Sequence, residues 1–103
     1  MSVVALLSVA PVIEDSMASE VAAAVDALEE FDVSYETNPM GTVIEADDID
    51  TLLAAVGAAH KAVDAERVST FLKIDDKRTR DQRADEKVDA VERELGRDAK
   101  KHR

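Results

Sequence analysis

Residues 3–9, VVALLSV, constrain this chain more than any other segment. Val3, Ala5, Leu7 and Val9 form one alternating set, and Val4, Leu6 and Ser8 form the other. Side chains on a strand point alternately to opposite faces, and here both sets are apolar except for Ser8. The segment therefore reads as a central strand that has to be covered on both sides. Pro11 marks its end. A chain of 103 residues can build one modest core around such a strand.

From Ser16 the period changes. Val21, Val25 and Leu28 recur at helical spacing, alanines supply helix propensity, Phe31 closes the segment, and Asp15 or Ser16 is placed to cap it. Val33 to Thr37 alternates again, with Val33, Tyr35 and Thr37 on one side. Thr42 to Ala46 returns after an Asn38-Pro39-Met40-Gly41 turn, which predicts a hairpin over residues 33–46. A second helix carries Ile49, Leu52, Leu53, Val56, Ala59, His60 and Val63 on one stripe. Asp47, Asp48 and Asp50 stand at its start, where carboxylates satisfy free N–H groups. Arg67 to Asp75 is the clearest alternating strand, with Val68, Thr70, Leu72 and Ile74 directed toward the helices. A third helix is predicted over Ala84–Leu95 with a narrow seam of Val88, Val91 and Leu95, and Gly96 stops it.

The order is β-α-β-β-α-β with an additional C-terminal helix. Two β-α-β units of similar length, residues 3–37 and 42–75, predict an α+β ferredoxin-like sandwich: an antiparallel sheet with two helices on one face. Residues 1–96 form one ligand-binding domain on this reading, and 97–103 a charged tail. The other sheet face is left open. Because the first strand is apolar on that side too, the expected cover is a second copy, with the third helix assisting.

Composition narrows the function. The formal net charge is −10, which argues against nucleic acid or an anionic membrane as partner. Residues 1–63 hold twelve acids against one base, Lys61, whereas 64–103 hold eleven acids against twelve bases. So acidic a first half suits a halophilic cytoplasm. The absence of cysteine removes thiolate chemistry and Cys-based zinc sites. The apolar opening lacks a basic flank and soon meets acids, so a cytoplasmic location is expected rather than a signal peptide.

Few residues invite chemistry. Asn38, Pro39 and Gly41 are explained by a type I turn, but Met40 at its tip has no packing reason unless it covers a ligand or a neighbouring chain. Glu45 and Lys73 should face away from the helices, either as a cross-strand pair or as the polar floor of a ligand site. Asp47, Asp48 and Asp50 lack the glycine and distal glutamate of a calcium loop. His60 has no histidine or cysteine partner. No nucleophile–base pair or phosphate loop occurs, so an enzyme is not expected.

The blocks NPMGTVIEADD at 38–48 and RVSTFLKIDDKR at 67–78, with an opening strand ending in SVAP at 8–11, resemble the small thiamine/hydroxymethylpyrimidine-binding family. The resemblance implies non-catalytic binding of thiamine or a related pyrimidine at a sheet and subunit interface, in homodimers that assemble into homotetramers, with thiamine as bound ligand and no cofactor. The ligand-binding positions it implies, together with neighbours able to pack on the rings, are Ser8, Tyr35, Met40, Gly41, Thr42, Glu45, Phe71, Lys73 and Asp75. A carboxylate such as Glu45 or Asp75 would accept from the exocyclic amine. The loop Val12–Asp15 departs from the family pattern, which commonly has glycine soon after the first proline. A structural or regulatory oligomer of the same fold, binding another metabolite or none, is the alternative.

Overall fold

The computed structural model describes residues 2–78 and 83–101. Its elements run β1 (Val3–Pro11), α1 (Ala18–Ala27), a short 3-10 turn (Leu28–Glu30), β2 (Val33–Asn38), β3 (Gly41–Ala46), α2 (Ile49–Ala62), β4 (Val68–Asp76) and α3 (Ala84–Leu95). The four strands form one antiparallel sheet in the order β2-β3-β1-β4. This is the ferredoxin-like α+β arrangement, and β1 is a central strand as its double apolar pattern requires.

Register assigns the faces. Residues opposite one another in antiparallel strands share a face. Val3, Ala5 and Leu7 of β1 oppose Ala46, Ile44 and Thr42 of β3, and Ile74 and Leu72 of β4 oppose Ala5 and Leu7. That face meets α1 and α2, and its centre is dry: Val3, Ala5, Leu7, Ile44 and Ala46 pack with Ala24, Leu28, Leu52, Ala55 and Ala59. Three of the latter five residues are alanine, which lets the helices lie close to the sheet. Val4, Leu6, Ser8 and Ala10 point the other way and are only half-buried.

Local chemistry explains most boundaries. Asp48 caps α2: one carboxylate oxygen accepts the Thr51 N–H at 2.7 Å and the other accepts the Thr51 hydroxyl at 3.0 Å. Gly96 ends α3 in the left-handed region at φ 74°, its N–H donating to the Glu92 carbonyl at 2.8 Å. Helix α1 is shorter than its periodicity predicts. It starts at Ala18, with Met17 in the cap position and Ser16 Oγ accepting only the Ala18 N–H at 3.3 Å, and it tightens after Ala27. The tighter turn buries Leu28 and lets the Phe31 N–H reach the Leu28 carbonyl at 3.1 Å. Strand β1 also outlasts VVALLSV. Pro11 is tolerated because it stands at the strand end, where it opposes Val68.

Leu52 is fully buried at the helix–sheet contact. Leu52→Ala should lower unfolding free energy by about 2–5 kcal/mol, read as a shift of the urea midpoint at unchanged slope. Asp48 supplies an acid-side dependence. The Thr51 N–H, then the Thr51 hydroxyl, hold its carboxyl below the ordinary carboxylate value. Its contribution is therefore present above that ordinary value and lost as pH falls through the depressed one. Asp48→Ala should lower the melting temperature at neutral pH, and the difference from wild type should vanish in strong acid.

Candidate functional site

The sheet is not rectangular. β1 pairs with β3 only as far as Leu7 opposite Thr42, but with β4 as far as Pro11 opposite Val68. Ser8 to Pro11 thus have no neighbour on the β3 side, and the β2–β3 hairpin ends beside them. The hairpin turn is Pro39-Met40, closed by the Asn38–Gly41 pair, with Asn38 Oδ1 accepting the Met40 N–H at 2.9 Å. Gly41 is required there by proximity: a Cβ on it would lie 2.7 Å from the Leu7 carbonyl oxygen, and its φ is 154°.

The notch so formed is roofed by α1. A cavity of about 210 Å³ lies between the overrunning end of β1, the hairpin and the helix. The polar residues along it are Ser8, Thr37, Asn38 and Thr42, of which Thr37 and Thr42 lie in the helix-facing row of Leu7 and Ser8 in the opposite row, and its apolar wall comes chiefly from Met17, Val21, Ala24 and Leu28. Thr42 is buried, and its Oγ1 lies 3.0 Å from Thr37 Oγ1. No charged side chain lines this cavity among the described residues. Hydroxyls both donate and accept, and an amide offers one of each kind of group, so the lining suits an uncharged heterocycle carrying ring nitrogens and an amine.

A second, shallower concavity of about 570 Å³ occupies the open face. Val4, Leu6 and Val43 are its floor, Lys73 and Asp75 its polar side, and Pro39 and Met40 its rim. The hairpin tip thus borders both cavities, and Met40 is 79% exposed between them.

The sequence-derived positions divide accordingly. Ser8, Met40, Gly41 and Thr42 come together at the notch, and Met40, Lys73 and Asp75 at the open face. Tyr35 lines neither cavity. It lies on the helix side, where its hydroxyl donates to Glu29, and that hydrogen bond is the main cause that raises its pKa above the ordinary phenol value. Phe71 lies on the open-face side of β4, 59% exposed. Glu45 and Asp75 both engage the third helix. Glu45 Oε2 accepts the Ala84 N–H at 2.8 Å, and its Oε1 stands 3.4 Å from the Arg83 guanidinium. Asp75 accepts from Lys87, whose hydrogen bond and then whose charge hold the Asp75 carboxyl below the usual range. Sequence reasoning missed Met17, Val21, Thr37 and Asn38 as cavity walls. The α1 residues carry no local signal, since their alanine-rich surroundings read only as helix. Asn38 was accounted for by the turn it builds. Among the described residues no cluster of three or more potential metal ligands occurs, and no helix is long and apolar enough to cross a membrane.

Comparison with known proteins shows the family and the fold. The model of the thiamine-binding protein family matches residues 5–92, and the chain belongs to that family. It is 48% identical over 83 residues to a UPF0045 protein of Methanothermobacter thermautotrophicus, covering 78% of this chain and 84% of that one. The crystal structure of hypothetical protein MJ1052 of Methanocaldococcus jannaschii superposes with a TM-score of 0.81 at 35% identity, over 87% of this chain and 95% of that one. A candidate thiamine biosynthesis/salvage protein of Thermotoga maritima gives 0.76 at 22% identity, over 88% and 99%, a likeness of fold.

Gly41→Ala tests the notch. The added Cβ must displace the hairpin from Leu7, so a melting temperature lowered by several degrees is expected, together with altered chemical shifts or faster amide exchange at Thr37 and Thr42.

Proposed function

We propose that this protein binds a thiamine-related pyrimidine without transforming it, with the aminopyrimidine ring in the notch beneath α1. The observation that carries this reading is the notch itself: a small, half-enclosed cavity walled by methionine and aliphatic carbon, with Ser8, Thr37, Asn38 and Thr42 as its polar groups. At about 210 Å³ it is below the roughly 300–1,000 Å³ typical of drug-sized ligands, and it suits one substituted ring better than two. Membership of the thiamine-binding protein family supports the ligand class.

The charge pattern orders the ligand. Thiamine joins an aminopyrimidine to a cationic ring. The neutral notch takes the pyrimidine, while the cation extends past Met40 toward the open face, where Asp75 stands and where a second copy would pair through its sheet. Met40 packs against the ligand from the shared rim; its unbranched thioether adapts to either ring. Proton-transfer catalysis needs a titratable group aimed at the reacting atom, and the notch wall has hydroxyls and an amide instead.

Isothermal calorimetry with hydroxymethylpyrimidine and with thiamine tests the assignment. Wild type should bind one ligand per chain, and Thr42→Val, which keeps the shape and removes the hydroxyl, should weaken binding roughly tenfold, as loss of one ligand hydrogen bond at about 1 kcal/mol or more implies. No heat from either ligand at millimolar concentration would overturn the reading. Native mass spectrometry of the same samples should report dimers or tetramers, and a multimer that takes up neither ligand would favour a purely structural oligomer.

A further inference from the structure

Helix α3 is attached in an unusual way. It has no buried residue, and Val88, Val91 and Leu95 are all about half exposed. Among the described residues, only three polar contacts of Arg83, Ala84 and Lys87 join it to the rest of the fold by hydrogen bond or ion pair. All three end on two carboxylates, and those carboxylates share one row of the sheet. Val4 opposes Glu45 on one side and Asp75 on the other. Two strand spacings separate them, about 10 Å. The first turn of α3 rises only about 1.5 Å per residue, but the long arm of Lys87 supplies the remaining reach.

We propose that Glu45 and Asp75 form a latch that tethers the first turn of α3 to the sheet, and that ionic strength sets how firmly the latch closes. Each contact has a definite role. Arg83, the residue before the helix, makes no side-chain cap of its own. Glu45 supplies the missing acceptor from another element, placing negative charge where free N–H groups and the helix dipole favour it. Arg83 balances that charge against Asp85 and Glu86 of the first turn. Asp75 fixes the rotation of the helix through Lys87. At 100° per residue, Ala84, Lys87, Val88, Val91 and Leu95 fall on one side of α3. The latch therefore fixes the rotation of a helix whose apolar seam is left about half exposed.

The components differ in sensitivity to salt. The Asp75 side chain is 55% exposed and the Arg83 side chain 61%, so salt screens their attractions strongly. The Glu45 side chain is 11% exposed, and its bond to the Ala84 N–H is a short-range contact that salt weakens little. Raised ionic strength should first free the rotation of α3 and leave its first turn tethered at Glu45. The latch shares Asp75 with the proposed path of the ligand's cation, so it is tested on ligand-free protein, where its outcome does not depend on that reading.

Hydrogen-exchange mass spectrometry on the full chain tests it. Glu45→Gln and Asp75→Asn should each speed exchange in peptides of 84–95 by about tenfold at low salt, with β1 and α2 unchanged. Wild type should approach the Asp75→Asn rate as salt rises. The charge-swapped pair Asp75→Lys with Lys87→Asp should restore protection at low salt, which a merely structural effect of either substitution would not do. Unchanged exchange in α3 for both single variants, or equal loss of protection in β1 and α2, would overturn the latch, as would failure of the swapped pair to rescue.

Discussion

Pairing of β1 with β3 on one edge and β4 on the other is the interaction on which the rest of this structure depends. It places Val3, Ala5, Leu7 and Val9 under the two helices and leaves Val4 and Leu6 on the opposite side. It also sets two further features of the surface. The inequality of the two pairings, ending at Leu7 toward β3 and at Pro11 toward β4, opens the notch beside the hairpin. The shared partner Val4 brings Glu45 and Asp75 into one row, where they receive α3.

Polar groups divide between these features by charge. The hydroxyls of Thr37 and Thr42 meet under α1 in surroundings of methionine, valine and alanine, where an unpaired carboxylate would be costly to desolvate. The carboxylates lie on the open face, where solvent and cationic side chains compensate them. Glu45 shows the division best. It is the least exposed acid of the latch, yet both its oxygens have partners, an N–H and a guanidinium. In the folded chain Glu45, expected as a ligand contact, also caps a helix 39 positions away.

Periodicity made much of the fold legible. The double apolar pattern of VVALLSV marked a central strand, the alternation of RVSTFLKID placed Leu72 and Ile74 on the helix side, and Asp48 announced the start of α2 by a local hydrogen bond. Such features are short-range, so a window of ten residues contains their cause. The ends of α1 were less legible, because burial of Leu28 is a contact with α2 and the sheet, not a property of the helix. Of the site, the turn chemistry pointed to Met40 and Gly41, and resemblance to a known family pointed to Ser8 and Thr42. Nothing local marked Met17 or Val21, whose part in the notch depends on where α1 crosses the sheet.

From the sequence alone follow the element order, the antiparallel α+β layout, the face of nearly every strand residue and the acidic balance that disfavours nucleic acid. Alternation and helical period are properties of consecutive residues, so they survive without tertiary context. The tertiary structure decided where β1 outruns β3, which side chains meet in the resulting notch, and that Glu45 and Asp75 hold a helix. These are outcomes of register, and register joins residues far apart in the chain that no local pattern connects.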